Sequence, residues 1–503
     1  MMLTQLKKIT GEKHLFLFIF IMFLIIPAFT QQSSTLFLMD KIPQANLVNP
    51  AIMPPCRFFI GMPVLSSFHF NLGVTGFSYN DIFSKAPGDS LKITPNTILN
   101  KAHNTDLVTT ELYLNLLSFG FTKKKYYFTF NLNDKIDFLL TYPKDLMTML
   151  WDGNSAFQGT TANLSSLRVN FNYYREYAFG VASHVNKKLT MGGRVKILFG
   201  KANLYTADSW TSLYVDQNTW ANYLQSNALV NASLPVAITT NPDGTVKNIS
   251  LQNINIPGFF LNRQNPGLGV DFGFVYKYNN KTTFSGSILD VGAIRWRSNY
   301  FNFYESGALA FSGTGYNSSF NFSNYVERLK DSMLNTFNLR YRQQKYFSPL
   351  VPNIYLGATY QFNRDMNLGL VSRTEIFKYW VVLPTVTASL NTNFSKHISL
   401  SLSWSYMDYA FNNIGLGMGL KFGTFNFHIV SDNVYGMMFY KGTQNVNIRF
   451  GFGFLFGCHA PAKVENLSNR GCFWCKLQQK KEDRFKNFLK RKKNKPHPDN
   501  KIE

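Results

Sequence analysis

The sequence predicts an all-β fold, a transmembrane antiparallel β-barrel of about fourteen strands. Two observations favour this fold. The chain is 16% aromatic and only 16% charged, whereas soluble proteins usually carry about 25% charged residues. Its mean hydropathy is -0.12, so apolar residues alternate with polar ones. Strands with one lipid face and one wet face need that alternation, whereas membrane helices need unbroken runs of about 20 apolar residues.

One apolar run stands at the N-terminus. Three lysines precede the stretch 15–29, and the polar Gln31 follows it. A basic start, a short apolar core and small residues at the cleavage site, here within Ala28-Phe29-Thr30, are typical of a secretory signal peptide. A membrane anchor is the alternative, but about 15 residues is short for a span. We expect residues 1–30 to be a signal peptide and the mature protein to reach the outer membrane.

The region 65–457 is predicted to be the barrel, because strand-like segments alternate with short and long connections. The short polar turns lie at 122–125, 186–188, 279–281, 363–367, 391–397 and 423–424. The largest loops lie at 205–265 and 298–350. Tight turns on one side and long loops on the other are typical of bacterial outer-membrane barrels, with both chain ends in the periplasm. A soluble β-sandwich, whose strands also alternate, is the alternative.

The strand 189–199 shows the period of two. Val195 and Ile197 share one face, and Arg194 and Lys196 share the other. Lipid outside and a polar lumen inside account for this alternation.

The strand 446–456 ends on aromatic residues, among them Phe454 and Phe456. Such an ending resembles the C-terminal strands that the barrel-insertion machinery reads. We therefore predict Phe454 and Phe456 to be an assembly signal and that machinery to be a partner.

The strand 281–297 contains a break in its pattern. Phe284 and Ile288 share one face, yet Leu289 and Val291 continue the apolar set on the other face. A β-bulge near Ile288–Asp290 would reconcile the two sets and would keep Asp290 away from lipid.

Two loop segments are compatible with short helices at the extracellular mouth. Segment 143–151 has Pro143 at its start and apolar residues on one side. Segment 323–337 follows a similar pattern, with an irregular loop as the alternative.

The segment 174–177 carries Arg175 and Glu176 in succession. Adjacent strand residues face opposite ways, so only one of the two side chains can enter the lumen. We expect this part of the strand to stand above the bilayer, where both faces are wet. Asp432 and Asn433, at a strand end, are typical of loops first and of a binding site second.

The tail 458–503 changes composition abruptly, with 13 Lys or Arg against 5 Asp or Glu. Such a charge block cannot bury enough apolar surface to form a core, so a disordered periplasmic tail is expected. The alternative is a short basic helix that lies on anionic head groups or on an acidic partner.

Two of the four cysteines, Cys472 and Cys475, form a CxxC pair in this tail. A periplasmic location favours a disulfide between them. A zinc site that also uses Cys458 and His459, or free thiols, are the alternatives.

Chemistry-bearing motifs are otherwise missing from the sequence, which has no GxSxG, HExxH or Walker motif. We expect no enzyme activity, no cofactor and no metal. The net charge of +23 would suit nucleic acid, but export disfavours that partner. Outer-membrane lipid and lipopolysaccharide phosphates are the expected counter-charges.

An ordered set of short stretches carries a family resemblance. These stretches include Thr35-Leu-Phe-Leu-Met-Asp40, Asn46-Leu-Val-Asn-Pro-Ala51, Tyr174-Arg-Glu-Tyr-Ala-Phe-Gly180, Leu289-Asp-Val-Gly292 and Val430-Ser-Asp-Asn-Val434. The set resembles an uncharacterised family of FadL-like outer-membrane barrels, distantly similar to the PorV proteins of type IX secretion. It spans almost the whole mature chain.

The resemblance implies fourteen strands and an N-terminal hatch, here residues 31–64, with its motif at Asn49-Pro50-Ala51. It also implies that a strand kink at Ile288, Leu289 and Asp290 opens a lateral gap. A barrel that binds or passes a hydrophobic or amphiphilic solute is therefore the expected function. The alternative is a non-transporting barrel that docks secretion or surface-assembly partners, among them type IX components.

Overall fold

The computed structural model describes residues 33–85, 91–242, 245–251, 256–312, 340–376, 382–395, 397–407 and 410–458. Fourteen strands, some interrupted, form the wall of a barrel. In chain order they are β1 (Cys56–Gly61 and Ser67–Val74), β2 (Thr105–Lys123), β3 (Tyr126–Pro143), β4 (Arg168–His184), β5 (Leu189–Val215), β6 (Asn265–Lys277), β7 (Thr282–Trp296), β8 (Tyr346–Pro349 and Asn353–Gln361), β9 (Met366–Ile376), β10 (Val382–Ser395), β11 (Ile398–Met407), β12 (Ala410–Phe422), β13 (Phe425–Ser431) and β14 (Asn445–Cys458).

Each wall strand pairs antiparallel with the next, from β1 through β14. Both segments of β1 also pair with β14, which closes the sheet on itself. A closed sheet leaves no unpaired strand edge, which is what a barrel in lipid requires. The predicted antiparallel barrel of about fourteen strands is confirmed.

The connections alternate as predicted. Six short turns join strands at one end, here called the short-turn end, and all six match the predicted positions. The longer connections meet at the opposite end, here called the long-loop end. β1 begins and β14 finishes at the short-turn end, where Cys56 lies directly opposite Cys458 and forms a disulfide with it.

The two faces of the wall follow the period of two. On β5, Val195 and Ile197 are 56% and 41% exposed on the outward face, whereas Arg194 and Lys196 are buried in the lumen. This confirms the faces predicted for the strand. On β14, Phe454 and Phe456 point outward near the short-turn end. Their role in assembly stays a prediction.

The barrel begins earlier than expected. Its first strand starts at Cys56, whereas the sequence suggested that the hatch continues to residue 64. A short interruption at residues 62–66 divides β1 into two segments, and within it Val64 has a φ of 68°. The sequence pattern of the strand was therefore recognised only after this interruption. The segment before this interruption already pairs with β2 and β14.

The wall is extended at the long-loop end, where the sequence suggested only loops at 205–265 and 298–350. The end of β5 pairs with Ala221–Ser233, which pairs with Tyr300–Ser312, which in turn pairs with Arg340–Arg342. The loop prediction was therefore wrong for these segments. These strands are stabilised by pairing with one another. The turn-forming residues between them made the two regions look like continuous loops in the sequence.

Smaller elements decorate the loops. The short strand Thr161–Asn163 pairs with β5, and two small hairpins form from Phe83–Lys85 with Leu91–Ile93 and from Val236–Thr240 with Val246–Leu251. The α-helices are α1 (Ser34–Phe37), α2 (Tyr79–Ile82), α3 (Pro95–Lys101), α4 (Lys144–Asp152), α5 (Ile256–Leu261) and α6 (Val434–Met438), and the 3₁₀ helices are Pro43–Leu47, Asn154–Phe157 and Tyr440–Gly442. In the described ranges, no helix is long and apolar enough to cross a membrane.

The helix predicted at 143–151 is confirmed as α4. The segment 323–337, the signal peptide 1–30, the pair Cys472 and Cys475, and the rest of the tail after Cys458 lie outside the described residues.

The register break predicted in the strand 281–297 is confirmed in β7. Leu289 and Asp290 together lie opposite Asp271 of β6, and Asp290 has a φ of 59°. On the other side of β7, the pairing with β8 stops at Leu289 and resumes at Ala293. At the level of the bulge, β7 therefore lacks regular ladder pairing with both β6 and β8.

Candidate functional site

Residues 33–55, here called the hatch, fill the lumen. Two helical turns, α1 and Pro43–Leu47, present apolar side chains that are almost fully buried. They pack against inward side chains of the wall, and the rings of Phe37 and Tyr355 stack with centroids 5.1 Å apart. An apolar segment inside a polar lumen is thus accommodated by a local apolar core.

Glycines in the wall make room for the hatch. A Cβ built on Gly417 would overlap the Met39 side chain, and one built on Gly419 would press on Ile42. Since any larger residue at these positions would push the hatch away, the glycines fit a wall that is packed closely against a plug.

The motif Asn49-Pro50-Ala51 lies where the hatch meets β5 and β6. A Cβ on Gly192 would overlap the Pro50 carbonyl, and one on Gly273 would overlap the Asn49 amide. The Asn49 Oδ1 accepts a hydrogen bond from the Ala51 N–H at 3.0 Å, and its Nδ2 donates to the Phe274 carbonyl at 3.3 Å. The motif therefore forms a tight turn against the wall.

Polar groups of the wall hold the hatch at its start and at its middle. The Asp432 carboxylate accepts from the Ser33 and Thr35 N–H groups at 2.8 and 2.7 Å, and from the Thr35 hydroxyl. The Arg194 guanidinium donates to the Asn46 carbonyl at 2.6 Å. Asp432 was expected to act in a loop, and its position at the end of β13 places it instead on the hatch.

Five buried charges beside the hatch on β3 to β7 contact one another, and the Arg194 Nε, 3.3 Å from Asp271, adjoins them. The Lys196 Nζ is 2.7 Å from both Asp271 and Asp290 and 3.3 Å from Glu176. The Lys135 Nζ is 3.1 Å from Asp290 and from Glu176. Charges in a closed lumen need such partners, because removing one partner leaves an uncompensated buried charge.

A second group continues across the lumen. Arg373 contacts Glu375 and lies 3.5 Å from Glu111, which in turn lies 3.0 Å from the His69 imidazole. The two groups meet at Tyr113, whose ring lies 5.2 Å from the Lys135 Nζ. We call them together the charged layer, whose members are Glu111, Lys135, Glu176, Lys196, Asp271, Asp290, Arg373 and Glu375.

The charged layer leaves only water-sized space. One cavity of about 60 Å³ reaches from it to Val48 of the hatch, and one of about 20 Å³ lies between Asp290 and Val351. A cavity of about 15 Å³ on this measure holds one water. No solute larger than a few waters fits here.

A larger pocket lies above this layer, at the long-loop end of β3, β4 and β5. This mouth cavity has a volume of about 600 Å³. Leu139 and Asn170 line both the mouth cavity and the 20 Å³ cavity below it. The two spaces are therefore neighbours, and the place where these two residues separate them is here called the neck.

Most of the charged layer was not predicted from the sequence. Glu176 was expected to lie in a wet part of its strand above the bilayer, whereas Glu176 is 1% exposed and ion-paired within the lumen. Arg175 points outward, as the alternation requires, and its guanidinium bonds both Asp134 oxygens at 2.7 Å. Charged residues are rare in this chain, and a charge at an inward position in the middle of a strand needs a partner within the lumen. A search for such positions would have indicated the charged layer.

The other predicted positions separate around the bulge. Ile288 points outward and is 43% exposed, Leu289 is buried against the hatch, and Asp290 joins the charged layer. Cys458, the third cysteine of the alternative zinc site, is bonded to Cys56. Among the described residues, no group of three or more His, Cys, Asp or Glu side chains is arranged to hold a metal ion.

Comparison with known families gives one match that covers most of the chain. The model of a family of unknown function, DUF5723, matches residues 50–432. The chain belongs to this family. The matched part begins within the hatch motif and ends at Asp432, which holds the start of the hatch. No curated protein sequence matches significantly.

Solved structures of low similarity include the toluene transporter TodX of P. putida, at 9% identity and a TM-score of 0.35, with 83% of this chain and 95% of that chain covered. A FadL homologue of Pseudomonas aeruginosa aligns at 12% identity and a TM-score of 0.34, with coverages of 86% and 99%. At these scores the similarity adds nothing to the strand pairing described above.

Proposed function

We propose that this protein is an outer-membrane channel for a small hydrophobic or amphiphilic solute, which enters the mouth cavity while the hatch keeps the lumen closed. One observation carries the proposal: a cavity of about 600 Å³ opens at the long-loop end and narrows to water-sized spaces above the hatch. Ligand pockets typically measure about 300 to 1,000 Å³.

The membrane placement is part of this proposal. An outward face of apolar and aromatic side chains suits lipid. The disulfide between Cys56 and Cys458 supports export, because disulfides persist in oxidising compartments. We place the long-loop end outside the cell and both ends of the barrel chain in the periplasm, as in other bacterial barrels.

The lining of the mouth cavity favours an amphiphile with an anionic head. Leu139, Val169 and Tyr205 supply apolar surface, and Lys144 and Arg168 supply positive charge. The Asp145 carboxylate also lines the cavity and accepts the Asn163 N–H at 2.8 Å, so the lining keeps one positive charge more than negative. A carboxylate head near the cations and a short alkyl chain on the apolar side would satisfy both parts of the lining.

The exit is proposed to lie sideways, at the bulge. The 20 Å³ cavity below the mouth cavity touches Asp290 and Val351, where the ladder between β7 and β8 is interrupted. A modest opening there would lead an apolar solute directly into lipid, whereas a route through the hatch would require its buried core to leave the lumen.

Uptake of radiolabelled decanoate by cells that carry the protein tests the entry. Asn170→Trp fills the neck between the two cavities, and we expect at least a tenfold loss of uptake. Phe171→Trp, on the outward face of the same strand, is the matched control and should transport normally. Equal uptake by both variants would exclude the mouth cavity as the path.

A hatch lock separates the two exits. The Thr35 and Ser403 hydroxyl oxygens are 2.7 Å apart, so Thr35→Cys with Ser403→Cys can form a disulfide between hatch and wall. Uptake that survives oxidation supports the sideways exit. Uptake that stops on oxidation and returns with reductant, against an unaffected wild type, would assign the exit to the hatch.

One observation favours the second function, docking of a partner. The extended wall displays exposed aromatic side chains at Trp210, Tyr214 and Tyr223, and aromatic residues are enriched at interfaces. Mass spectrometry of the purified protein discriminates the two functions: a co-purifying lipid or fatty acid supports the channel, and a co-purifying surface protein supports docking. The relation to PorV and type IX secretion stays a prediction.

A further inference from the structure

Four exposed cations lie at the long-loop ends of three adjacent strands. Arg263 precedes β6, Arg295 lies in β7, Arg297 follows it and Lys345 precedes β8; all four are exposed. Ile294 and Trp296, on either side of Arg295, are fully buried in the lumen. The period of two therefore directs Arg295 and Arg297 outward. We call these four residues the cationic rim.

Strand pairing brings the rim together. Arg295 lies opposite Phe347, and its guanidinium is 5.8 Å from the centre of that ring. The Arg297 Nε donates to the Gln264 carbonyl at 2.7 Å, which places Arg297 beside Arg263. Lys345 adjoins Tyr346, whose partner in the ladder, Trp296, adjoins Arg297. Neighbouring strands are about 4.8 Å apart, so the four charges occupy one patch.

The rim lacks negative partners within the described ranges. None of its four residues forms an ion pair with a carboxylate there. In the closed lumen, by contrast, the Lys196 ammonium contacts three carboxylates. The rim therefore presents uncompensated positive charge.

The level of the rim matches that of lipid head groups. Arg295 lies thirteen residues above the start of β7 at Thr282, which corresponds to about 33 Å along the barrel axis at a rise of about 3.3 Å per residue and a tilt of about 40°. The apolar band of such barrels is about 25 Å tall. Leu268 and Val291 lie below the level of Arg295 and are 66% and 42% exposed, and Phe347, which lies level with Arg295, is 63% exposed. The outward surface thus changes from apolar to cationic at the edge of the band.

This change is absent from the sector formed by β9 to β12. At the long-loop ends of β11 and β12, the outward side chains are aromatic, among them Trp404 and Phe411. In the described parts of β9 to β12, no Lys or Arg occupies an outward position near that end. A general attraction to the membrane surface would not require such a concentration of charge on three strands.

We propose that the cationic rim binds the phosphates of a phosphorylated glycolipid of the outer leaflet, a lipid A, with its acyl chains on Leu268, Val291 and Phe347. A guanidinium group donates two parallel hydrogen bonds to two oxygens of one phosphate, whereas a lysine ammonium acts as a point charge. Three arginines in the rim therefore suit phosphate groups better than lysines at the same positions would. Acyl chains complement these three exposed apolar side chains, which adjoin the rim. The inference rests on the proposed membrane placement and not on the solute.

Native mass spectrometry of the purified full-length protein tests the site, with diphosphorylated lipid A, its dephosphorylated form and phosphatidylglycerol as probes. The rim variant combines Arg263→Gln, Arg295→Gln, Arg297→Gln and Lys345→Gln. The control variant removes the same charge from exposed lysines at the short-turn end, namely Lys123→Gln, Lys187→Gln, Lys188→Gln and Lys281→Gln. Heat-modifiable migration verifies that both variants are folded barrels.

We expect the wild type and the control variant to retain diphosphorylated lipid A equally. The rim variant should lose it by roughly several hundredfold, because each of the four cations contributes about fivefold near a lipid surface. Dephosphorylated lipid A and phosphatidylglycerol should bind the wild type weakly. Unchanged binding to the rim variant, equal loss in the control variant, or equal retention of phosphatidylglycerol would each overturn the proposal. Because decanoate uptake does not enter this measurement, failure of the channel proposal remains distinguishable.

Discussion

The charged layer in the lumen and the cationic rim on the outside both contain Lys and Arg side chains on nearby strands. In the lumen these cations contact carboxylates, whereas in the rim, within the part of the chain that the structure describes, they do not. Lys196 of β5 lies within 3.3 Å of three carboxylates. Arg295 of β7 has a phenyl ring beside it and no carboxylate partner in the described ranges. A closed lumen excludes the solvent that would stabilise a lone charge, so its partners must come from the protein. On the outside, water or a lipid phosphate can take that role.

Lys196→Met should produce the largest effect. It leaves Asp271, Asp290 and Glu176 with one cation fewer, and breaking a buried ion pair costs about 3 to 5 kcal/mol. We expect a large loss of the free energy of unfolding, measured by urea titration of the protein in detergent micelles.

Arg295→Met is the matched outward change and should alter that free energy by no more than about 0.5 kcal/mol in the absence of lipid A. If the two substitutions destabilise the protein equally, the contrast between lumen and rim has no energetic basis.

Asp432→Asn weakens the attachment of the hatch. The carboxylate accepts two backbone N–H groups and a hydroxyl, and hydrogen bonds to a charged group contribute about 1.5 to 3 kcal/mol. Amide hydrogen exchange at residues 33–40 should accelerate, whereas exchange in the barrel strands should not. Asp365→Asn, in an exposed turn, is the control. Unchanged exchange in the hatch would show that its apolar core holds it without Asp432.

Gly273→Ala tests the close approach of the hatch to the wall. Its new Cβ would overlap the Asn49 side chain, and overpacking of this kind costs about 1 to 3 kcal/mol. Faster amide exchange at residues 46–52 is the expected result. Gly307→Ala, where nothing lies within 4 Å of the added atom, should leave exchange unchanged. A silent Gly273→Ala would mean that the turn at Asn49-Pro50-Ala51 has room to shift.

Phe456→Asp should have the smallest effect on the stability of the folded barrel. Phe456 is 42% exposed on the outward face, and a charge near the membrane interface costs only about 0 to 1 kcal/mol. If the residue is part of an assembly signal, the fraction inserted in cells should nevertheless fall sharply, while refolding into detergent stays normal. Phe411→Asp, at the long-loop end, supplies the control. Normal insertion of Phe456→Asp would remove the residue from the signal.

Much of the barrel could be predicted from the sequence because it depends on local rules. The alternation in β5 and β14, the six short turns and the bulge in β7 all follow from side chains a few residues apart. The extended wall was missed because part of its pairing is distant in the chain: Ala221–Ser233 pairs with Tyr300–Ser312 as well as with the adjacent end of β5. The hatch motif was found only through its resemblance to a family, since nothing in Asn49-Pro50-Ala51 alone indicates a lumen.

The sequence by itself determined which strand faces are apolar, because side chains in a strand alternate with a period of two. It also determined where the chain turns, and the number of connections indicated about fourteen strands. Only the tertiary structure decided which charges meet and what they hold. Lys135 and Asp290 are 155 residues apart, Ser33 and Asp432 are 399 apart, and Cys56 and Cys458 are 402 apart. Such contacts depend on how the sheet closes, and closure is a property of all fourteen strands together.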